Sequence, residues 1–149
     1  MYGLGINWKF VVKVIGYVLV LESLFMLLAA GIAAYFHGTD IQAIIYSAII
    51  TLVFGLGIAL PMGFKRKIKF IGKRESYLSV ALSWTLFALF GALPFYISGA
   101  IPSFSDAFFE SMSGITTTGS SVLTNIDAFP KGLLFWRSIL QWLDRKSVV

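Results

Sequence analysis

The stretch Phe108-Phe109-Glu110-Ser111-Met112-Ser113-Gly114-Ile115-Thr116-Thr117-Thr118-Gly119-Ser120-Ser121 sets a short aromatic-rich run directly against a run of hydroxyls and glycine. It reads as a short helix followed by an irregular strand, and apolar segments lie on both sides of it. In a membrane, non-helical backbone is tolerated at depth only where it is buried in protein or lines a water-filled path. A ladder of backbone carbonyls ending in glycine is what an ion filter requires. The segment is therefore the expected seat of function.

The surroundings support a membrane setting. Hydrophobic residues make up 58% of the chain and charged residues 13%, against about 25% charged in ordinary soluble domains. Val14–Tyr35 is interrupted only by Glu22, and Ile41–Phe64 and Tyr77–Ile97 carry no charge at all. Each is long enough to cross a hydrocarbon core, which takes roughly 20 residues. The first is too long for the h-region of a cleaved signal peptide, and no Ala-x-Ala-like site closes it. There is no cysteine, so disulfides, thiolate metal sites and thiol catalysis are excluded within this sequence.

Charge sets the expected orientation. Lys9 and Lys13 precede the first span, and Lys65, Arg66, Lys67, Lys69, Lys73 and Arg74 fill the second loop. His37–Asp40 and Ser98–Asp106 contain no Lys or Arg. Positive residues collect on the cytoplasmic side, so the N-terminus and the Lys65–Glu75 loop are expected inside. The net charge of +5 comes largely from that loop. A short basic run tethered between spans fits an anionic lipid surface, and no nucleic acid is expected as a partner.

Beyond the third span, Ser98-Gly99-Ala100-Ile101-Pro102 breaks the chain, and Ser103 or Ser105 can cap a helix with Asp106 in its first turn. Ala107–Ile115 is too short to span. Thr116–Ser121 lacks helical periodicity, Asp127, Pro130 and Lys131 mark a further turn, and Gly132–Leu143 begins another apolar segment. The order of span, outer turn, re-entrant helix, irregular strand, outer turn and span is that of one pore-loop unit. A potassium ion sheds its water only if several oxygens replace it, and aligned carbonyls provide them. Gly119 is expected where φ is positive, and the C-terminal end of the short helix favours a cation.

The motif Phe108-Phe109-Glu110-Ser-x-Ser-Gly114-x-Thr116-Thr117-Thr118-Gly119, followed by Pro130-Lys131-x-Leu-Leu-Phe135-x-Arg137 and Gln141-Trp142, resembles the bacterial Trk/Ktr potassium-uptake superfamily, in particular its TrkH/TrkG-like membrane subunit. Arg74-Glu75, Ser83-Trp84 and Gly91-Ala92-Leu93-Pro94-Phe95 extend the match, so that it covers essentially residues 14–143. The resemblance implies an all-α membrane fold. On that resemblance residues 1–75 would be two N-terminal transmembrane helices with a basic cytoplasmic loop, and 76–143 one span–pore-loop–span repeat with an incomplete second span. It implies potassium transport by the pore-forming subunit of a Trk-type uptake system in the bacterial inner membrane. The ion would be held by the carbonyls of Thr117 and Thr118, flanked by Thr116 and Gly119, with Glu110 anchoring the pore helix. The implied partners are the lipid bilayer, K+, a second copy in a homodimer of the full-length subunit, and a TrkA-like cytosolic nucleotide-binding ring. No cofactor and no enzymatic activity are implied.

Two departures from the family pattern stand out. The family repeats the unit four times, and it continues Gln-Trp-x-Gly-Gly-Met-Gly where this sequence reads Gln141-Trp142-Leu143-Asp144-Arg145-Lys146. Charges inside a span cost about 2.5–3.5 kcal/mol each on insertion scales, so 144–149 read as the tail of a truncated or frameshifted fragment. The alternatives are a non-conducting fragment and a secondary transporter with a re-entrant loop.

Other residues take plainer readings. Glu22 reads as a buried carboxyl bonded to a neighbouring helix, and Glu110 as anchoring its helix through hydrogen bonds or a basic partner such as Arg137, rather than binding the ion. Lys13 and Lys131 read as snorkelling to the interface, and His37 as a solvated loop residue. Trp8, Tyr35, Tyr77 and Tyr96 read as interface anchors. Gly114 to Ser121 has a phosphate-loop skeleton but has Ser120 where the lysine belongs, and it follows a helix rather than a strand. A lone histidine and the absence of a Gly-x-Ser-x-Gly elbow leave no nucleophile–base pair.

Overall fold

The structure is a computed structural model, and it describes residues 8–62, 73–123 and 129–145. Every regular element among them is helical: α1 (Trp8–Tyr35), α2 (Ile41–Ala59, continued by a 3-10 turn over Leu60–Met62), α3 (Lys73–Gly91), α4 (Leu93–Ile97), α5 (Phe104–Ile115) and α6 (Lys131–Arg145). Three stretches are long and apolar enough to cross a membrane: Trp8–Tyr35, Ile41–Ala59 and Lys73–Ile97. The basic residues Lys65, Arg66, Lys67 and Lys69, the turn residue Asp127 and the charged end from 146 onward lie outside the described residues.

Helices α1 and α2 form an antiparallel hairpin. Their backbones approach closely where Gly16 meets Ala59 and Gly55 meets Val20. A Cβ on Gly55 would lie 2.9 Å from the Val20 nitrogen, so glycine is required there. Small residues at such a crossing gain dispersion contacts, which drive helix association in lipid, where there is no hydrophobic driving force between helices. The rest of the interior is built similarly, from Ala29, Ala30, Ala33, Ala48, Ala88, Ala92 and Ala107 around Met26, Ile44, Phe95, Leu133, Trp136 and Leu140. Leu21, Leu24, Leu28, Val53, Phe54 and Val80 point outward, an apolar surface suited to lipid.

The turn after α1 has a specific cause. His37 takes a positive φ of 52°, its N–H donates to the Ala34 carbonyl at 3.1 Å, and the Gly38 N–H donates to the Ala33 carbonyl at 2.9 Å. This paired closure is a Schellman end with histidine in the left-handed position that glycine usually fills. His37 is exposed, while Asp40, three residues on, is buried. The third span is interrupted at Ala92, where Pro94 removes a backbone donor, and α4 resumes the helix for one turn. Gly99, with φ of 72°, then reverses the chain towards α5.

Candidate functional site

Helix α5 begins where its sequence allows. The Ser103 hydroxyl accepts from the Asp106 N–H at 3.4 Å, with Ser103 itself extended, so the helix starts at Phe104, three residues ahead of the expected start at Ala107. One face of α5 is buried through Ala107, Glu110, Ser111, Ser113, Gly114 and Ile115. Close approach to α6 occurs at Gly114, where a Cβ would sit 3.1 Å from the Leu140 Cβ.

The helix ends in the hydroxyl run. The Thr117 N–H donates to the Gly114 carbonyl and the Thr118 N–H to the Ser113 carbonyl, both at 3.1 Å, a second Schellman closure. Here the left-handed position is held by Thr117, at φ 50°. A β-branched residue is a genuine outlier in that region, at a cost of roughly 1–2 kcal/mol. Gly119 also has positive φ, at 77°, as expected from its sequence position. No β-strand pairing is found over Thr116–Leu123; the segment is turn and extended coil. The Thr116 hydroxyl donates to the Met112 carbonyl at 2.9 Å and lies 2.8 Å from the Thr118 hydroxyl.

Residues 116–122 are exposed, yet their backbone is tied to α5 from behind. The Ser113 hydroxyl donates to the Ser120 carbonyl at 2.5 Å. Glu110, fully buried, accepts the Ser121 hydroxyl on both carboxylate oxygens and the Val122 N–H on Oε2, each at 3.0 Å. Its Oε1 also accepts from Arg137 Nε on α6, the basic partner named from sequence. A buried carboxylate with several donors is the arrangement in which a buried charge is tolerated. Thr116, Thr117, Thr118 and Gly119 thus lie together on one exposed turn, with Glu110 beneath the residues that follow them.

Two buried acids were incompletely read from sequence. Glu22 is buried as expected, but among the described residues neither of its carboxylate oxygens has a hydrogen-bond partner. It faces the Gly91 position, where a Cβ would lie 3.2 Å from its Oε1 and 2.6 Å from the Ser111 hydroxyl. Asp40, read as a loop residue, is buried and accepts the Leu133 N–H of α6 on Oδ2 at 2.9 Å. The one available signal was its place as the only acid in a four-residue turn. The aromatic anchors Trp8, Tyr35, Tyr77 and Tyr96 are all exposed. Lys131 places its Nζ 4.6 Å over the Phe36 ring, and Lys13 its Nζ 5.8 Å over the Tyr17 ring, so both ammonium groups sit on aromatic faces. No group of three or more His, Cys, Asp or Glu that could hold a metal ion occurs among the described residues.

Comparison with known proteins points one way. The family described as "TrkH: Cation transport protein" matches residues 40–149. The Trk system potassium uptake protein TrkH of Halomonas elongata is 37% identical over 142 residues, covering 95% of this chain and 29% of the relative. Its Escherichia coli K12 counterpart is 32% identical over 145 residues, covering 96% and 29%. The crystal structure of the potassium transporter TrkH from Vibrio parahaemolyticus superposes with a TM-score of 0.87 at 32% identity, over 95% of this chain and 30% of that one. The chain therefore spans about 30% of the length of the relatives it matches. A matching family over more than half the residues, a shared helical fold and these identities lead to one conclusion: this chain belongs to the TrkH cation transport protein family.

Proposed function

We propose that this chain supplies the two N-terminal spans (1–75) and the first pore-loop repeat (76–143) of the pore-forming subunit of a Trk-type potassium uptake system. In this reading α5 is the pore helix, and the carbonyls of Thr117 and Thr118, flanked by Thr116 and Gly119, contribute one quarter of the potassium site. The observation that carries it is the contrast at residues 116–122, which are exposed while fastened through Ser120, Ser121 and Val122 to α5. A filter needs its carbonyls free towards the ion and its backbone fixed behind. In a β-strand successive residues face opposite ways. Positive φ at Thr117 and Gly119 breaks that alternation, as carbonyls directed to one side require. The C-terminal end of α5 adds partial negative charge at the same place.

Lys9 and Lys13 at the start of α1, and Lys73 and Arg74 at the start of α3, support a cytoplasmic N-terminus in the bacterial inner membrane. The names of the relatives support K+ as the cargo. Homodimerisation of the full-length subunit and a cytosolic nucleotide-binding ring follow from the same family reading.

The test is a chimera in which residues 1–143 replace the matching segment of the Escherichia coli relative, assayed for K+ uptake in cells lacking other uptake systems. The chimera and its Thr117→Gly variant, which keeps the carbonyl and relaxes φ, are expected to support uptake. Thr117→Pro, whose φ is locked near −65°, is expected to abolish it. Uptake by the Pro variant, or a Gly variant as defective as the Pro one, would refute carbonyl coordination at this position.

A further inference from the structure

We propose that Asp40 is a positioning residue for the hydroxyl-rich loop: by fixing the N-terminus of α6 it sets where Arg137 meets Glu110, and hence how the Ser121–Val122 backbone is held. Its consequence for an ion rests on the filter reading above; the coupling itself does not.

Asp40 lies in the α1–α2 turn and is 2% exposed. Its Oδ2 accepts the N–H of Leu133, 93 positions away in sequence, at 2.9 Å. Leu133 is the third residue of α6, and its N–H is one of the donors that an α-helix leaves without an internal partner. A carboxylate there gains both a charge-assisted hydrogen bond and the favourable end of the helix dipole. The fit is tight on both sides. A Cβ on Gly38 would collide with Asp40 Oδ1, and one on Gly132 would collide with Asp40 Oδ2 and with the Ala33 Cβ. Beside this contact Lys131 lies over the Phe36 ring, so the first turn of α6 is fastened to the α1–α2 turn by two side chains.

The remaining links are continuous. Leu133 and Arg137 are four residues apart on one unbroken helix, on the same face and separated by about one turn. Arg137 donates to Glu110, and Glu110 accepts both the Ser121 hydroxyl and the Val122 N–H. A slip of α6 along its axis therefore cannot occur without either leaving the Arg137–Glu110 pair or dragging Glu110 from the loop. Asp40 opposes the slip at the start of α6, beside Lys131 on the Phe36 ring, while the Trp136 Nε1–H bond to the Gly91 carbonyl holds the helix further along. Its second oxygen, Oδ1, has no hydrogen-bond partner among the described residues, so the Leu133 bond is the carboxylate's polar fastening.

Site-resolved amide hydrogen exchange on the full chain in lipid nanodiscs tests this, comparing wild type, Asp40→Ala and Asp40→Asn. Losing a charge-assisted bond is expected to speed exchange roughly tenfold or more at Leu133 and, through the coupling, at Val122 as well. Asp40→Asn keeps an acceptor oxygen and is expected to restore part of the protection at both amides. The amide of Gly55, on the far side of the α1–α2 hairpin, serves as the control. Faster exchange at Leu133 with Val122 unchanged would reduce Asp40 to a local cap and overturn the proposal. Should Asp40→Ala loosen the whole fold, so that Gly55 exchanges faster too, the same criterion is applied to Asp40→Asn. The transport chimera reads the filter assignment and this measurement reads the coupling, so each can fail alone.

Discussion

Trp136 on α6 donates its Nε1–H to the carbonyl oxygen of Gly91 at 3.0 Å, and both residues are buried. Gly91 is the last residue of α3, immediately before the break at Ala92. An indole with its donor satisfied is the way a large aromatic is accommodated in an interior. Trp136→Phe removes the bond and keeps most of the ring, and is expected to lower stability by about 1–2 kcal/mol. Trp136→Ala leaves a cavity as well and is expected to cost about 3–5 kcal/mol. Reversible unfolding in mixed micelles checks both; equal losses would mean that the hydrogen bond contributes nothing.

The Gly91 position makes a second, independent expectation. A Cβ there would lie 2.6 Å from the Ser111 hydroxyl, on the buried face of the short helix. Gly91→Ala is expected to destabilise by about 1–3 kcal/mol through overpacking. The Ser111 hydroxyl has no hydrogen-bond partner among the described residues, so Ser111→Ala alone is expected to be neutral or stabilising. In the double variant most of the Gly91→Ala loss should be recovered. A purely additive result would show that the crowding lies elsewhere.

These expectations mark where the sequence was readable. The presence of three apolar spans, Ser103 as one of two candidate caps and the positive φ of Gly119 were legible because each depends on composition or on neighbours within four residues. The Glu110–Arg137 pair was legible only as one option, a basic partner for an acid on an apolar helix, since 27 positions separate the two. Asp40 was not legible: in a polar turn an acid reads as solvated, and its partner is contributed by a helix at the other end of the chain. The positive φ of Thr117 was missed for a different reason. Propensity argues against a β-branched residue at positive φ, and here the two hydrogen bonds of the helix end, with the loop fastened behind, override it.

That strain leads to a prediction about backbone alone. Nothing lies within 4 Å of a Cβ built on Gly119, so Gly119→Ala meets no side chain and its cost is conformational, about 1–2 kcal/mol. Thr117→Gly acts in the opposite sense locally, releasing the strain of φ 50° while adding unfolded-state freedom of roughly 0.4–1 kcal/mol. Its net effect on stability is therefore expected to be within about 1 kcal/mol of zero. Unfolding midpoints at constant lipid-to-detergent ratio report both. A Gly119→Ala chain as stable as wild type would mean that the positive φ at 119 is not retained.

Glu110 and Arg137 offer the most discriminating measurement. Glu110 is fully buried and Arg137 only 17% exposed, and the pair joins the short helix to α6. Removing one partner of a buried pair leaves the other uncompensated, at about 3–5 kcal/mol. Arg137→Met is expected to fall in that range, because it strands the carboxylate. Glu110→Gln should cost less, since its amide oxygen can still accept the Val122 N–H, while its NH2 group faces a guanidinium that cannot accept. In the double variant Glu110→Gln/Arg137→Met no unpaired charge remains, and a coupling energy of roughly 1–3 kcal/mol is expected from the cycle. The cycle also separates two jobs of the carboxylate. If Glu110 served only Arg137, the double variant would regain the stability of wild type. If it also holds the loop through its charge, the amide oxygen that replaces it accepts the Val122 N–H more weakly. The Val122 amide should then exchange faster in every variant lacking the carboxylate, including the double one. Wild-type protection of Val122 in Glu110→Gln/Arg137→Met would show that a neutral amide oxygen at position 110, with the Ser113 bond to the Ser120 carbonyl, suffices to fix the loop.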